Sequence, residues 1–297
     1  MKILVTGASG FVGGFFLRTV RNCTPIDQGR NIDIRNAEEV QSAISQIMPD
    51  GVVHLAAQTF VPQSFVDARG TFEVNFLGTL NLLSALKSVG FSGRLLFVSS
   101  GEVYGNVPPE RLPVVEQELL KPRNPYAVSK MAAEGLCYQW SQTEKFQIVM
   151  TRSFNHIGPG QSDRFVVSNF AKQIVEIKKR NRHPILQVGD IDVSRDFLDV
   201  RDVVRAYQQL LECGANGESY NVCSGVERTV REILERLLQL SNVEVTVQQE
   251  QDRFRRSEQK RMVGSAEKLK KQIPWKPQFD LQDSLKDILK AWEQTLK

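Results

Sequence analysis

The chain has 297 residues, of which 41% are apolar and 24% are charged, and this balance excludes a largely disordered protein. The formal net charge of +4 is too small to indicate a nucleic-acid-binding protein. No apolar run approaches the roughly 20 residues of a membrane-spanning helix, so we expect a cytoplasmic protein with neither membrane nor nucleic-acid partners.

The N-terminus has the pattern of a strand, a glycine-rich turn and a helix. The run Lys2–Thr6 is followed by three glycines, and Phe11–Val20 has helical character. Glycines permit positive φ angles and let phosphate oxygens approach backbone N–H groups at the positive end of a helix. The pattern therefore predicts a dinucleotide site. Its residues are Gly7, Gly10, Phe11, Val12 and Gly13.

An acidic residue stands about 20 positions after the first glycine, where it can hold the adenine ribose. Asp27 occupies this position and favours NADH, whereas Arg30 is close enough in sequence to receive the 2′-phosphate of NADPH. Asp27 can also be read as a simple turn residue. The choice between NADH and NADPH therefore stays open at this point.

Short apolar runs alternate with helix-like segments through the first half of the chain. After the first strand, we predict strands at Val52–Ala56, Arg94–Ser99 and Gln147–Thr151, and an amphipathic helix at Thr71–Val89. Strands separated by helices imply a parallel sheet that is covered on both faces. The predicted fold class is α/β, with a Rossmann-like parallel sheet, helices on both faces and a smaller C-terminal α/β lid for substrate.

A phenol and an ammonium group share one face of a predicted helix. Asn124 can cap this helix and Pro125 suits its first turn, so Tyr126 and Lys130 stand at i and i+4. We expect Coulomb attraction to lower the pKa of the Tyr126 phenol and make it a proton donor. Ser100, at the end of a predicted strand, is placed to donate a hydrogen bond to a carbonyl oxygen.

The second half of the chain is richer in loops but keeps α/β patterns near Asp199–Cys213 and Ser219–Leu240. We predict a dinucleotide-binding domain in residues 1–155, which segments near 185–225 rejoin. Residues 156–297 are predicted to form mainly the substrate-binding domain.

Cysteine and histidine usage argues against a metal centre. None of the cysteines forms a CxxC or Cys/His pattern, and no two histidines stand four residues apart. We therefore expect no metal ion, and free thiols in a reducing compartment.

Together the motifs resemble those of the extended short-chain dehydrogenase/reductase family. The matching segments are TGASGFVG, HLAAQ, NFLGT, SSGEVYG and PYAVSK. The resemblance implies that Ser100 and Tyr126 polarise and protonate a substrate oxygen, while Lys130 binds the nicotinamide ribose. Asp33 would lie beside the adenine, although it can equally be a helix cap. The further cofactor residues implied are Asp33, Ile34, Leu55, Ala56, Ala57, Asn75 and Ser99.

Three later segments, RSFNHIGPGQ, VGDIDVSRDFLDVRDVVRAY and YNVCSG, are similar to the sugar-nucleotide branch of this family, in particular to its GDP-4-keto-6-deoxy-D-mannose reductases. The resemblance implies reduction of the C4 ketone of a GDP-linked 4-keto-6-deoxy sugar to GDP-D-rhamnose, with NADPH or NADH. It also implies a homodimer formed through Thr71–Val89 and Tyr126–Glu144. The substrate residues implied are Glu102, Asn155, Arg195, Arg255 and Glu258, the last two in the basic cluster RFRRSEQKR.

Other functions on the same fold stay open. A sugar-nucleotide 4,6-dehydratase shares the Ser-Tyr-Lys set and retains NAD, and Glu102 resembles its base. Gly101, however, has no side chain where some dehydratases carry an acid, so Glu102 is also read as a group that binds substrate hydroxyls or as an exposed loop carboxylate. A 4-epimerase would use the same hydride transfer twice. A non-enzymatic nucleotide sensor would have no reason to keep Ser100, Tyr126 and Lys130 together.

Overall fold

The computed structural model describes residues 1–27, 29, 32–253 and 259–296. The strands are β1 (Ile3–Thr6), β2 (Cys23–Pro25), β3 (Gly51–His54), β4 (Arg94–Ser100), β5 (Gln147–Ser153), β6 (Asn155–Ile157), β7 (Ile185–Val188), β8 (Ser194–Asp199), β9 (Ser219–Val222), β10 (Glu227–Thr229) and β11 (Thr246–Gln249). The α-helices are α1 (Phe11–Thr19), α2 (Ala37–Ile47), α3 (Val61–Val66), α4 (Ala68–Phe72), α5 (Gly78–Ser88), α6 (Pro125–Thr143), α7 (Val166–Lys178), α8 (Val200–Cys213), α9 (Val230–Ser241), α10 (Glu267–Gln272) and α11 (Leu281–Thr295).

Six strands form a parallel sheet in the order β2-β1-β3-β4-β5-β9. The chain crosses from β1 outward to β2 and then returns to β3 on the other side of β1. Ligands of such sheets bind beyond the carboxyl ends of the strands, where the strand order reverses. The predicted Rossmann-like fold class is confirmed, and the candidate site lies at this carboxyl edge.

The central strands are apolar throughout because both faces of the sheet are covered. One row of fully buried side chains contributes to the core shared with α1 and α8, and the next row contributes to the core shared with α2, α5 and α6. The first row is Val5, Val53, Leu96 and Val149, and the second is Leu4, Val52, Leu95 and Ile148. Alternate residues of a strand point to opposite faces, which is why neighbours in sequence enter different cores.

A third, smaller core lies in the later part of the chain. It joins α7, α9 and α11 to residues of β6, β7 and β8. In this part β8 pairs with β6 and β10, and β7 pairs with β11. The segment Ser219–Val222 instead pairs with β5 in the main sheet. The division into a dinucleotide-binding and a substrate-binding domain stays a prediction.

The predicted helix at Thr71–Val89 is more irregular than its periodicity indicates. Helix α4 passes into a π-helical turn at Glu73–Leu77 before α5 begins. The wider turn contains Asn75, whose side chain is buried. In the described part of the chain, no helix is both long and apolar enough to cross a bilayer.

Candidate active site

The glycine turn lies directly after β1, and its shape depends on the absence of side chains. Gly7 has a φ of +66°, and a Cβ there would lie 2.7 Å from the backbone nitrogen of Ala56. A Cβ on Gly13 would lie 2.2 Å from the carbonyl oxygen of Gly7. Gly10 caps α1 without a side-chain hydrogen bond, so the N–H groups of the first helical turn are left for other acceptors, and the preceding residues Gly7, Ala8 and Ser9 line the adjacent cleft. The turn, the start of α1 and the segment after β3 are therefore packed backbone to backbone.

A cleft of about 460 Å³ lies beside this turn. Its lining includes Gly7, Asp27, Ile34, Ala56 and Gln58. Of the predicted cofactor residues, Phe11, Val12, Leu55 and Ala57 are partly buried around the same segments. A cleft that is lined by the carboxylates of Asp27 and Asp33 and by the glycine turn fits the adenosine half of a dinucleotide.

Asp33 lines the cleft and is held by a neighbouring arginine. Its carboxylate accepts hydrogen bonds from the backbone and the guanidinium of Arg35, at 2.6 to 3.0 Å, and this pairing lowers the pKa of Asp33. The alternative reading of Asp33 as a helix cap is wrong, because Asn36 caps α2 by accepting from the N–H groups of Glu38 and Glu39.

Helix α6 begins as predicted, with Asn124 as its cap and Pro125 at its first position. The Asn124 side chain accepts a hydrogen bond of 2.7 Å from the N–H of Ala127. One turn of helix then places Tyr126 and Lys130 on the same face, and the side chain of Ser100, at the end of β4, is close enough to act on the phenol and lower its pKa. The Ser100 hydroxyl accepts a hydrogen bond of 3.2 Å from the N–H of Glu102.

The pKa of Tyr126 is raised to about 12, chiefly by burial, since only 8% of the residue is exposed. Ser100 acts to lower the pKa of the phenol, and the charge of Glu102 raises it further. The prediction of a lowered pKa is therefore wrong, because burial is the largest cause and the charge of Lys130 does not offset it. The consequence is a phenol that keeps its proton at neutral pH.

Lys130 is equally buried, at 4% exposure, and burial lowers its pKa to about 8. Its Nζ lies 4.5 Å from the centre of the Phe97 ring. A cation over an aromatic face is stabilised by the ring quadrupole, which offsets part of the lost hydration. Lys130 is thus mostly charged at neutral pH, one helical turn from the phenol.

Glu102 is partly buried, two residues after Ser100, and accepts a hydrogen bond of 3.1 Å from the side chain of Asn124. The preceding Gly101 packs against the ring of Phe154, which lies 3.3 Å from the position that a Cβ would take. Contacts of that length are tighter than ordinary van der Waals packing. The turn therefore carries a carboxylate at 102 and has little room for a side chain at 101.

Two predicted cofactor residues, Ser99 and Asn75, are buried and are not among the residues that line the cleft. The Ser99 hydroxyl is buried, with no hydrogen-bond partner among the described residues. Asn75 is fully engaged: it exchanges hydrogen bonds with the backbone of Gln58, at 2.8 and 3.1 Å, and donates one of 2.9 Å to Ser129. The unpartnered Ser99 hydroxyl at the end of β4 is a polar group that a ligand can satisfy, and the turn after β1 has the glycines that a diphosphate needs, so the residues present fit a bound dinucleotide.

The predicted substrate residues that the structure describes lie on different elements of the fold. Asn155 is exposed on β6, whereas Arg195 on β8 is 7% exposed and donates a hydrogen bond of 2.8 Å to the carbonyl oxygen of Ser194. Arg255 and Glu258, like Arg30 of the cofactor prediction, lie outside the described residues. Their roles stay predictions.

Two buried polar groups were not predicted from the sequence. His54, at the end of β3, bonds Thr6 and Thr79. Glu134 forms a salt bridge of 2.6 Å with Arg152 across α6 and β5. His54 immediately precedes the small-residue segment that was assigned to the cofactor, but nothing in the sequence indicates which partners it takes.

Comparison with known proteins extends the similarity over the whole chain. The model of the GDP-mannose 4,6-dehydratase family matches residues 28–288. The GDP-6-deoxy-D-mannose reductase of Pseudomonas aeruginosa is 46% identical over 300 residues, which cover 100% of this chain and 98% of that protein.

Two solved structures are similar in fold. RMD from Pseudomonas aeruginosa, complexed with NADPH, aligns with a TM-score of 0.93 and 45% identity over 99% of this chain and 100% of that one. UDP-glucose 4-epimerase from Thermus thermophilus, in complex with NAD, aligns with a TM-score of 0.88 and 29% identity over 98% and 99% of the two chains.

Proposed function

Since the chain belongs to the GDP-mannose 4,6-dehydratase family, within the extended short-chain dehydrogenases/reductases, we propose that it reduces the C4 ketone of GDP-4-keto-6-deoxy-D-mannose to GDP-D-rhamnose. Its full-length similarity to a GDP-6-deoxy-D-mannose reductase supports this substrate. The reductant is NADPH or NADH, and the similarity to a structure complexed with NADPH supports a nicotinamide cofactor.

The cofactor would lie along the carboxyl edge of the sheet. Gly7, Gly10 and Gly13 would hold its diphosphate, Asp27 and Asp33 would face the adenosine, and Lys130 would contact the nicotinamide ribose. When bound, a reduced nicotinamide supplies the hydride that the carbonyl carbon receives.

The observation that carries the proposal is the protonated phenol of Tyr126, beside Ser100 and one turn of helix from the ammonium of Lys130. Tyr126 donates its proton to the carbonyl oxygen as negative charge develops there. Ser100 donates a hydrogen bond to the same oxygen. Lys130 then stabilises the phenolate that remains, because its charge lies on the same face of α6.

Glu102 and Asn124 are proposed to bind sugar hydroxyls at the mouth of the site, where their side chains are already hydrogen-bonded. We further propose that Asn155 and Arg195 contact the GDP part, together with Arg255 and Glu258. Arginine suits a diphosphate because its guanidinium combines charge with fork-shaped hydrogen-bonding geometry.

A dehydratase reaction is less well supported. Removal of water from C5 and C6 needs an acid that protonates the leaving hydroxyl, and Gly101 carries none. Packing of Phe154 against Gly101 leaves little space for such a group. The 4-epimerase alternative is likewise not favoured by the full-length similarity to a reductase.

The experiment mixes the purified chain with GDP-4-keto-6-deoxy-D-mannose and either NADPH or NADH, follows cofactor absorbance, and identifies the sugar by NMR. Stoichiometric cofactor oxidation with formation of GDP-D-rhamnose is expected. A parallel reaction with GDP-mannose and no added cofactor should give no product. Formation of the keto sugar in that reaction, or no oxidation of either cofactor in the first, would contradict the proposal.

We also retain the homodimer and the cytoplasmic location as predictions. Light scattering during size-exclusion chromatography should give twice the chain mass of 33.6 kDa. A monomer at micromolar concentration would refute the dimer.

A further inference from the structure

A fully enclosed histidine lies behind two of the segments that line the candidate cofactor cleft, the turn after β1 and the segment after β3. His54 is 2% exposed and has a hydrogen-bond partner on each ring nitrogen. Nδ1 lies 2.7 Å from the hydroxyl of Thr6, at the end of β1, and Nε2 lies 3.0 Å from the hydroxyl of Thr79, in α5. We call Thr6, His54, Thr79 and Asn75 the His54 network.

Counting protons assigns the tautomer of the ring. The hydroxyl of Thr79 donates its proton to the carbonyl oxygen of Asn75, at 2.7 Å, so towards His54 it can only accept. Nε2 of His54 therefore carries a proton. The hydroxyl of Thr6 accepts from the N–H groups of Leu55 and Ala56, at 3.1 Å each, and donates its proton to Nδ1. Every donor and acceptor in this series is used once the ring is neutral.

The environment keeps the ring neutral. Burial lowers the pKa of His54 to about 3, and the charge of Lys130 lowers it as well. The ring of Phe97 packs against both groups, 5.9 Å from the His54 ring and 4.5 Å from Nζ of Lys130. A protonated His54 would place a second positive charge near the ammonium of Lys130, and the His54 network contains no carboxylate that could compensate for it.

One end of the network holds the glycine turn. Thr6 immediately precedes Gly7, and its hydroxyl binds the N–H of Ala56, the same nitrogen that lies 2.7 Å from a Cβ built on Gly7. Gly7 and Ala56 both line the cleft. The network thus fixes the close approach of the two backbone segments that form one wall.

The other end of the network reaches further along the segment after β3 and then helix α6. Asn75 receives the Thr79 proton on its carbonyl oxygen, and its side chain binds the backbone of Gln58, which also lines the cleft. Asn75 then donates to Ser129, at 2.9 Å, and Ser129 donates to the carbonyl oxygen of Tyr126, at 2.7 Å. A continuous series of hydrogen bonds therefore runs from the glycine turn to the residue that carries the phenol.

We propose that His54 is a positioning residue, whose Nε2-protonated ring joins the glycine turn to Asn75 and so fixes the segment after β3, which lines the cofactor cleft, and the position of Tyr126. The inference depends on the proposed function only for the identity of the nucleotide. Its first test is therefore a property of the protein alone. Nitrogen NMR should show Nε2 of His54 protonated and Nδ1 unprotonated from pH 5 to pH 8. The opposite tautomer, or a protonated ring in this range, would overturn the proposal.

The second test measures the dissociation constant of NADPH without any sugar. His54→Leu fills the same buried position with an apolar side chain and removes both hydrogen bonds. We expect the dissociation constant of NADPH to rise at least about tenfold. His54→Gln offers one donor and one acceptor and should recover part of the affinity. Thr79→Val interrupts the same series at its second link and should act in the same direction, which covers the case in which His54→Leu fails to fold.

Ser284→Ala is the matched control. Ser284 is also buried, and its hydroxyl lies 2.6 Å from the carboxylate of Asp199 and 2.9 Å from the carbonyl oxygen of Asp280, near the start of α11 and outside the lining of the cleft. It should lose thermal stability with unchanged NADPH affinity. If His54→Leu behaves in the same way, the histidine is merely structural and the inference is wrong. A wild-type protein that binds NADPH but does not reduce the keto sugar would remove the proposed function while leaving the His54 result standing.

Discussion

Replacing Tyr126 by phenylalanine removes one oxygen and leaves the rest of the site in place. The ring is 8% exposed and packs at the start of α6, so its contacts are preserved. The pKa of about 12 means that the phenol carries its proton throughout the physiological range, and the variant therefore loses a group that is fully in the donor form. A well-placed general acid contributes about 10² to 10⁴ in rate, or about 3 to 5 kcal/mol of barrier.

The effect on stability should be much smaller. The variant loses the polar contact with Ser100 but also relieves the burial of a polar oxygen, so we expect the unfolding free energy to change by no more than about 1 kcal/mol. Tyr220→Phe is the matched control. Tyr220 lies in β9 and is also buried, and its hydroxyl accepts a hydrogen bond of 3.2 Å from the N–H of Ala215 in the preceding turn.

The assay records oxidation of the reduced nicotinamide at saturating keto sugar, alongside thermal unfolding of both variants. We expect turnover to fall at least a hundredfold in Tyr126→Phe and to stay at the wild-type level in Tyr220→Phe. Wild-type turnover in Tyr126→Phe would refute the role of the phenol. A loss of turnover that only follows a loss of folded protein would refute it as well.

Three other changes test the charge, the turn and the buried salt bridge. Because burial lowers the pKa of Lys130 to about 8, the ammonium is lost as the pH rises, so turnover should fall above about pH 8; a profile that is level to pH 10 would contradict this. Gly13→Ala should abolish NADPH binding in a titration, because the new Cβ would lie 2.2 Å from the carbonyl oxygen of Gly7. Gly135→Ala is its control: a Cβ there has no atom within 4 Å, so the change should raise the unfolding free energy by about 0.5 to 1 kcal/mol. Glu134→Ala leaves the buried Arg152 without its carboxylate and should lower the unfolding free energy in urea by about 3 to 5 kcal/mol; a change below about 1 kcal/mol would mean that the guanidinium is satisfied by other acceptors.

The parts of the site that could be predicted from the sequence are those set by neighbours in the chain. Asn124 and Pro125 begin a helix through their own side chains, and the i, i+4 spacing then puts Tyr126 and Lys130 on one face. Gly7 follows a strand that is apolar at nearly every position, a pattern that a parallel sheet buried on both faces requires. Such local rules act before any tertiary contact is known.

The tertiary structure decided the properties that depend on burial and on distant partners. The pKa of Tyr126 rises because neighbouring elements enclose it, so a prediction from the charge of Lys130 alone had the wrong sign. His54 becomes a link between β1 and α5 only because the fold brings Thr6 and Thr79, which are 48 and 25 positions away in the sequence, to its two ring nitrogens. The residue types that can catalyse are written in the sequence, but the dielectric around them and the hydrogen bonds that orient them are set by which segments the fold packs together.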